Sequence, residues 1–378
     1  MVNIRFPQPP SVSLALVIDL EAVSHNYRAL CSRLKQGTIC APVLKANAYG
    51  MGVKEVSALL YQEGCRHFFV AHLTEALELK CFVGPDVFIY ILNGLRKGDE
   101  EVYAHYQLIP VLSDFSQIQI WNNFCKTKQE CLKAALHFDT GMTRTGITQH
   151  TSGLAVEDLS HTEIVCVMSH LACTYQPSHP MNEEQRLSFE SIKKRFPSAM
   201  GSLANSGGLF LGSEYHYNLV RIGLALTGSH SPISAGDILL KPAVKAYAQI
   251  LQINEIAQGA SIGYDATFIA SRASRIATLG IGYADGYLRS LSNRGQVYFE
   301  GYILPVVGRV SMDLITIDMT DVPPSKVRTG AWIELFGDHI SIDALASQAE
   351  TIPWEILTRL GPRFERFYLN AHTLEEVA

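Results

Sequence analysis

Between residues 38 and 222, apolar runs long enough for a strand return eight times, at 38–44, 67–71, 87–92, 108–112, 133–138, 163–169, 200–204 and 217–222. Most of the gaps hold segments with helical periodicity, among them 53–63, 74–82, 113–126 and 181–196. Eight strands alternating with helices point to an α/β architecture, an N-terminal (β/α)8 TIM-type barrel. One residue resists the pattern. Pro42 lies inside the first run, where it lacks a ladder donor, and this predicts a late strand start or a bulge.

The flanks read differently. Residues 13–18 form a short apolar strand with no helix before it. Asp19 can then cap a helix whose apolar face is Val23, Tyr27, Leu30 and Leu34, and Gly37 stops it. Beyond Gly228, and clearly from Lys241, short β-rich runs alternate with Gly/Asp/Asn turns at 244–253, 275–281, 296–299, 302–306, 314–319 and 332–335. A helical signal returns at 342–348. The expected organisation is a barrel domain over 1–240, counting the N-terminal strand with it, a linker at 229–240, and a mainly β C-terminal domain over 241–378.

Composition excludes several classes. The 378 residues are 47% hydrophobic and 18% charged, ordinary for a soluble globular protein. A net charge of −5 gives no footprint for nucleic acid or a membrane surface, and no apolar run approaches a membrane span. The first 20 residues lack a basic region followed by an uninterrupted apolar core, so no signal peptide is expected. Eight cysteines without a CxxC pair or zinc spacing read as reduced cytosolic thiols, and no metal site is expected. The expected location is cytoplasmic.

A barrel carries its chemistry at the C-terminal ends of its strands, and several predicted ends here carry a reactive group. The first leads into Lys45, followed by Tyr49, Gly50 and Gly52. A lysine lowered in pKa by burial and nearby cations can form a Schiff base with an aldehyde, and a hydroxyl beside glycine amides suits a phosphate. Asp139 and Arg144 follow the fifth strand, His170 the sixth, Asn205 and Ser206 the seventh, and Arg221 and Gly223 the eighth. Each has an ordinary reading as well. Lys45 could be a surface lysine, His170 a satisfied core histidine, Asn205 and Ser206 a helix cap, and Arg221 half of an ion pair. Their coincidence on one rim favours chemistry.

Nine motifs in order carry a resemblance. They are VLKANAYGMG (43–52), DTGMTRTG (139–146), SHLAC (169–173), ANSGG (204–208), VRIG (220–223), GYDATF (263–268), GYADGY (282–287), GRVSMD (308–313) and GPRFER (361–366). Together they resemble the alanine racemases, fold-type III enzymes that use pyridoxal 5′-phosphate (PLP). The resemblance implies racemisation of L- and D-alanine by two bases, with D-alanine supplied for peptidoglycan synthesis. It implies that Lys45 holds PLP and is one base, and that Tyr264 of the partner subunit in a homodimer is the other. It implies further that Tyr49, Asn205, Ser206 and the backbone at Ile222 and Gly223 hold the cofactor. Arg221 is implied to face the pyridine nitrogen, Arg144 the phenolic oxygen and the substrate, and His170 to link Tyr264 with Arg221. The backbone at Met312, also of the partner, is implied to meet the substrate carboxylate.

The chemistry fits these roles. Moving a proton to the opposite face of Cα takes two weak acids on opposite sides, here an amine and a phenol. A guanidinium has donors but no acceptor, so a pyridine nitrogen facing Arg221 stays unprotonated, which disfavours transamination. Related barrel decarboxylases place a carboxylate there. A racemase preferring serine or another small amino acid, or a decarboxylase, is the alternative. Three positions depart from the family pattern. His137 stands where many relatives have a carboxylated lysine, so a chloride or a neighbouring carboxylate is expected beside Arg144. Met51 replaces a common histidine, and Tyr175 an acidic residue of the entry corridor.

Overall fold

The computed structural model describes residues 12–148, 159–229 and 239–369. Its first strand, β1 (Leu14–Asp19), runs into helix Leu20–Cys31. Then come β2 (Ile39–Pro42), β3 (His67–Val70), β4 (Phe88–Ile91), β5 (Ile109–Leu112), β6 (Leu132–His137), β7 (Thr162–Met168), β8 (Met200–Ser202) and β9 (Leu219–Ile222). Strands β3 to β8 form one parallel sheet in sequence order, and β2 pairs in parallel with β9. A parallel bridge between Val43 and Phe69 joins β2 to β3, and the Arg221 N–H donates to Ala204 O at 3.0 Å beside β8. The eight strands close into the expected barrel.

These strands read as near-continuous apolar runs because both faces are covered, one by the barrel interior and one by helices. The connecting helices include Val53–Gln62, Leu73–Lys80, Glu100–Tyr106, Phe115–Lys128 and Pro180–Arg195. Between β8 and β9 there are only 3-10 turns, Gly208–Phe210 and Ser213–Tyr215.

Pro42 produces neither a late start nor a bulge. The register from Ile39↔Leu219 to Pro42↔Ile222 is unbroken. The N–H groups of Ile39 and Val43 donate towards β9, to Asn218 O and Ile222 O, whereas that of Leu44 donates to Phe69 O beside β3. By alternation the missing donor of Pro42 falls on the β3 side. Pairing there is reduced to the bridge at Val43 and Phe69.

The second unit is built on β10 (Val244–Ile256), with β11 (Ser261–Ile262), β12 (Phe268–Ile269), β13 (Ser274–Leu279), β14 (Gln296–Phe299), β15 (Tyr302–Pro305), β16 (Ile315–Asp318), β17 (Trp332–Phe336) and β18 (Glu365–Leu369). The main sheet runs β15-β14-β17-β10-β1-β18, and β13 joins β10 to β16. Alternate residues of β10, namely Val244, Ala246, Ala248 and Ile250, are buried, the period of a strand with one covered face. Helices Ile342–Gln348 and Pro353–Arg359 follow β17.

The N-terminal strand corrects the expected organisation. β1 belongs to this second unit, antiparallel to β10 from Leu14↔Ala248 to Ile18↔Val244 and parallel to β18 from Ala15↔Glu365 to Asp19↔Leu369. Leu14, Leu16, Val17 and Ile18 are buried there, each stabilising the unit by about 1.5–3 kcal/mol. By backbone contacts Ser24–Leu226 form the core of one compact unit, while residues through Val23, Thr227–Ser229 and those from Lys241 form the other. Of the expected linker at 229–240, residues 230–238 lie outside those described.

Candidate active site

Lys45 stands shortly past β2, after Val43 and Leu44, and heads a turn of unusual hand. Ala46, Asn47, Ala48 and Tyr49 have φ of 52°, 55°, 52° and 56°, four successive residues in the left-handed region. Gly50 (φ 83°) and Gly52 (φ 106°) complete it, and glycine enters this region without steric cost. The turn carries the buried ring of Tyr49 back over the barrel rim, so that its hydroxyl lies against Gly223 after β9. A Cβ at Gly223 would overlap that hydroxyl, so only glycine permits the approach. The Gly223 N–H donates to Ser206 Oγ at 3.0 Å. Burial, and then the neighbouring Tyr175, push the Tyr49 pKa up, so the hydroxyl keeps its proton and can donate it.

Arg221, on β9, is 3% exposed. Its Nη1 donates to Ser202 O (3.0 Å) and Ser202 Oγ (2.6 Å). Nη2 donates to Ser169 O (2.7 Å), to Leu203 O (3.4 Å) and to His170 Nδ1 (3.1 Å). Every one of these acceptors is neutral. Burial holds the Arg221 pKa down to about 10, which still leaves it protonated at neutral pH. A buried cation with no carboxylate among the described residues suits an electron-rich ligand.

This geometry fixes the state of His170. Burial first, then Arg221, hold its pKa well below the ordinary value, so the ring is neutral. A guanidinium only donates, so His170 Nδ1 is the acceptor and Nε2 carries the hydrogen. His170 thus presents an N–H donor on its far side. His137 is also buried and neutral, its pKa lowered to about 4 by burial and then by Arg221 and Arg144. Asp139 spends Oδ1 on the N–H groups of Gly141 (2.9 Å) and Thr143 (3.1 Å). Arg144 is exposed, and no carboxylate of the described residues pairs with it. The neighbouring carboxylate expected beside Arg144 is therefore not found among them.

Lys45 is lowered in pKa by burial and then by Arg144, with Glu75 opposing and Arg221 adding to the fall. A larger share of its amine is free at neutral pH than for an exposed lysine.

The structure thus brings Lys45, Tyr49, Arg144, His170, Ser206, Arg221, Ile222 and Gly223 to one rim of the barrel unit. Asn205 is there too, and its Oδ1 accepts from Gly208 N at 2.9 Å at the entry to the turn Gly208–Phe210. Tyr264 and Met312 belong to the other unit. Tyr264 opens the 3-10 turn Tyr264–Ala266 and is 69% exposed. Met312 is 54% exposed, and its carbonyl accepts from Ala284 N at 3.0 Å.

Sequence reasoning missed two buried supports and one anchor. Ser202 holds Arg221. Gln185, on helix Pro180–Arg195, donates to His170 O (2.9 Å) and Thr140 Oγ1 (3.2 Å) and accepts from Ala172 N (2.9 Å). Glu75 holds the Lys45 turn, and its signal was legible: a glutamate at the third position of a helix that begins just after a strand.

The residues fit a phosphate-bearing aldehyde cofactor. A lowered lysine, the convergent hydroxyls of Tyr49 and Ser206, the Gly223 backbone and a buried guanidinium supply the donor set that PLP needs. Among the described residues no cluster of three His, Cys, Asp or Glu is placed to hold a metal ion, and no helix is long and apolar enough to cross a membrane.

The family model "Alanine racemase, N-terminal domain" matches residues 18–231, and "Alanine racemase, C-terminal domain" matches 243–368. The chain is similar to the alanine racemase of Rhodospirillum rubrum, 44% identical over 356 residues that cover 93% of this chain and 95% of that one. It is 40% identical to the alanine racemase of Brucella abortus over 370 residues, covering 94% and 93% of the two chains. Among solved structures, alanine racemase from Bartonella henselae with covalently bound pyridoxal phosphate superposes with a TM-score of 0.90 at 40% identity, covering 95% of this chain and all of that one (100%). The biosynthetic alanine racemase of Pseudomonas aeruginosa gives a TM-score of 0.85 at 30% identity and the same coverage, 95% and 100%.

Proposed function

This chain belongs to the alanine racemase family, and from that premise we propose that it interconverts L- and D-alanine between two bases, Lys45 and Tyr264 of the partner subunit. The family is PLP-dependent and its small-molecule substrate is alanine. PLP, when bound, acts as the electron sink that acidifies the substrate Cα–H. Lys45 Nζ moves a proton at Cα on one face and the Tyr264 phenol moves one on the other. The single observation that carries this reading is the state of His170. Its neutral ring, turned by Arg221, offers an Nε2–H donor that can orient the phenol oxygen of a tyrosine beside it.

Around these bases the other residues bind and orient. Tyr49, Ser206 and the backbone at Ile222 and Gly223 would hold the phosphate of PLP, with Asn205 shaping the loop. Arg144 would face the phenolic oxygen of PLP and the substrate, and the Met312 N–H of the partner would meet the substrate carboxylate. No hydrogen bond among the described residues uses that N–H, which supports the last role. A homodimer with shared sites accords with the exposure of Tyr264 and Met312 on the β unit. The enzyme acts in the cytoplasm and supplies D-alanine for peptidoglycan. A serine-preferring racemase or a decarboxylase of the same fold is the second reading, and Arg221 in place of a carboxylate favours the racemase.

Borohydride reduction of the holoenzyme followed by peptide mapping is expected to leave the pyridoxyl label on Lys45. A label on any other lysine removes Lys45 from the mechanism.

Arg221→Glu tests the selection of reaction. It places a carboxylate where the pyridine nitrogen faces, so that nitrogen can take a proton. Release of pyruvate from alanine is expected to rise at least about tenfold relative to racemisation, a shift of about 1.4 kcal/mol between the two barriers. An unchanged product ratio in a folded variant means that Arg221 does not face the ring.

A further inference from the structure

We propose that Glu75 is a positioning residue for Lys45, its carboxylate clamping the left-handed turn and so setting where the lysine amine stands. The inference deepens, and rests on, the reading of Lys45 as cofactor-bearing base.

The turn needs support. A non-glycine residue in the left-handed region costs roughly 1–2 kcal/mol, and here Ala46, Asn47, Ala48 and Tyr49 adopt it in succession. Such backbone persists only where its surroundings hold it. Part of the support is internal: Ala48 N donates to Leu44 O (2.9 Å), Gly50 N to Ala46 O (2.9 Å), and Gly52 N to Asn47 O (3.0 Å). Asn47 Oδ1 accepts from Val53 N at 2.7 Å, tying the far end of the turn to the following helix.

Glu75 supplies the near end. Its Oε1 accepts from Ala46 N at 2.7 Å, while Oε2 accepts from Ala71 N at 2.7 Å and His72 N at 3.0 Å. One carboxylate therefore ties the residue after Lys45 to the backbone just past β3. The residue before Lys45 is tied to the same strand, since Leu44 N donates to Phe69 O at 2.8 Å. Lys45 is thus fixed on both sides of its Cα, and on one side by a charged group. Bonds to an ionised acceptor are stronger than neutral ones, and a Glu side chain alone has the reach and the two oxygens this geometry uses. Helix capping accounts for the contact to His72 N but not for the one to Ala46 N, which belongs to another loop. The carboxylate also opposes the effect of Arg144 and Arg221 on the Lys45 amine.

Two variants separate the clamp from the charge. Glu75→Gln keeps the length but turns an NH₂ against backbone N–H groups, and Glu75→Asp keeps the charge but lacks the reach. Single-turnover exchange of the α-hydrogen in deuterated water reads each base separately; the family resemblance implies that Tyr264 serves L-alanine, which leaves D-alanine to Lys45. Both variants are expected to slow exchange from D-alanine about tenfold or more while exchange from L-alanine changes less than about threefold, since a misplaced base loses rate steeply with distance. The visible circular dichroism of the bound cofactor in the holoenzyme is expected to change in both, with the far-ultraviolet spectrum unaltered. Equal losses for the two enantiomers, or an unchanged visible spectrum in both variants, overturn the proposal and leave Glu75 as a helix cap. Lys45→Ala, run alongside, guards the premise: exchange from D-alanine that survives it rejects Lys45 as the base, while the visible spectra still decide whether Glu75 positions the lysine.

Discussion

Tyr264→Phe is expected to slow abstraction of the α-hydrogen from L-alanine by about 10²–10⁴-fold while leaving abstraction from D-alanine far less affected, the range set by loss of one positioned base. The asymmetry follows from the division of labour proposed for Lys45 and Tyr264, with L-alanine the enantiomer that the family resemblance implies for Tyr264. Phenylalanine keeps the ring and removes only the oxygen, so folding and substrate access are preserved. Tyr264 stands on a 3-10 turn behind Gly263, whose φ of 75° sets the direction of the chain there. The turn is braced by an ion pair between Arg309 and Asp265 at 2.9 Å. None of that bracing involves the phenol. Single-turnover exchange in deuterated water, run with each enantiomer, measures the effect. Losses of similar size for both enantiomers mean that Tyr264 is not a base confined to one face.

How much of this was legible in the sequence depends on how local each feature is. The barrel was legible because buried parallel strands write themselves as short apolar runs at regular intervals. The gathering of Lys45, His170, Ser206 and Arg221 on one rim was legible because a barrel places its chemistry at strand ends, and each stands near or just past one. The assignment of β1 was not. A strand states its own burial but not its partners, and those of β1 are β10 and β18, far along the chain. Coming before a helix, it read as the start of the barrel.

Pro42 shows a subtler limit. The missing donor was evident, but which neighbour would lack it depends on the alternation set by β9. The left-handed turn was the least legible element. Alanine and tyrosine do not favour that region, so the conformation is imposed by Glu75, Asn47 and the glycines that follow. For Asn205 the residue type suggested either a cap or a ligand contact, and the structure gives it a hydrogen bond from Gly208 N within its own loop.

The central claim is that each active site takes its two bases from two chains, and complementation tests it most directly. Lys45→Ala and Tyr264→Phe proteins, each nearly inactive alone, are mixed, dissociated and allowed to re-associate. In a mixed dimer one site receives both substitutions and the other receives neither. With random pairing about half the dimers are mixed, so about a quarter of all sites become intact. Recovery of roughly that fraction of wild-type racemase activity, from parents lower by orders of magnitude, is the result the shared site predicts. If mixed dimers are shown to form and the activity stays at the level of the parents, Lys45 and Tyr264 act within one chain, and the shared site is contradicted.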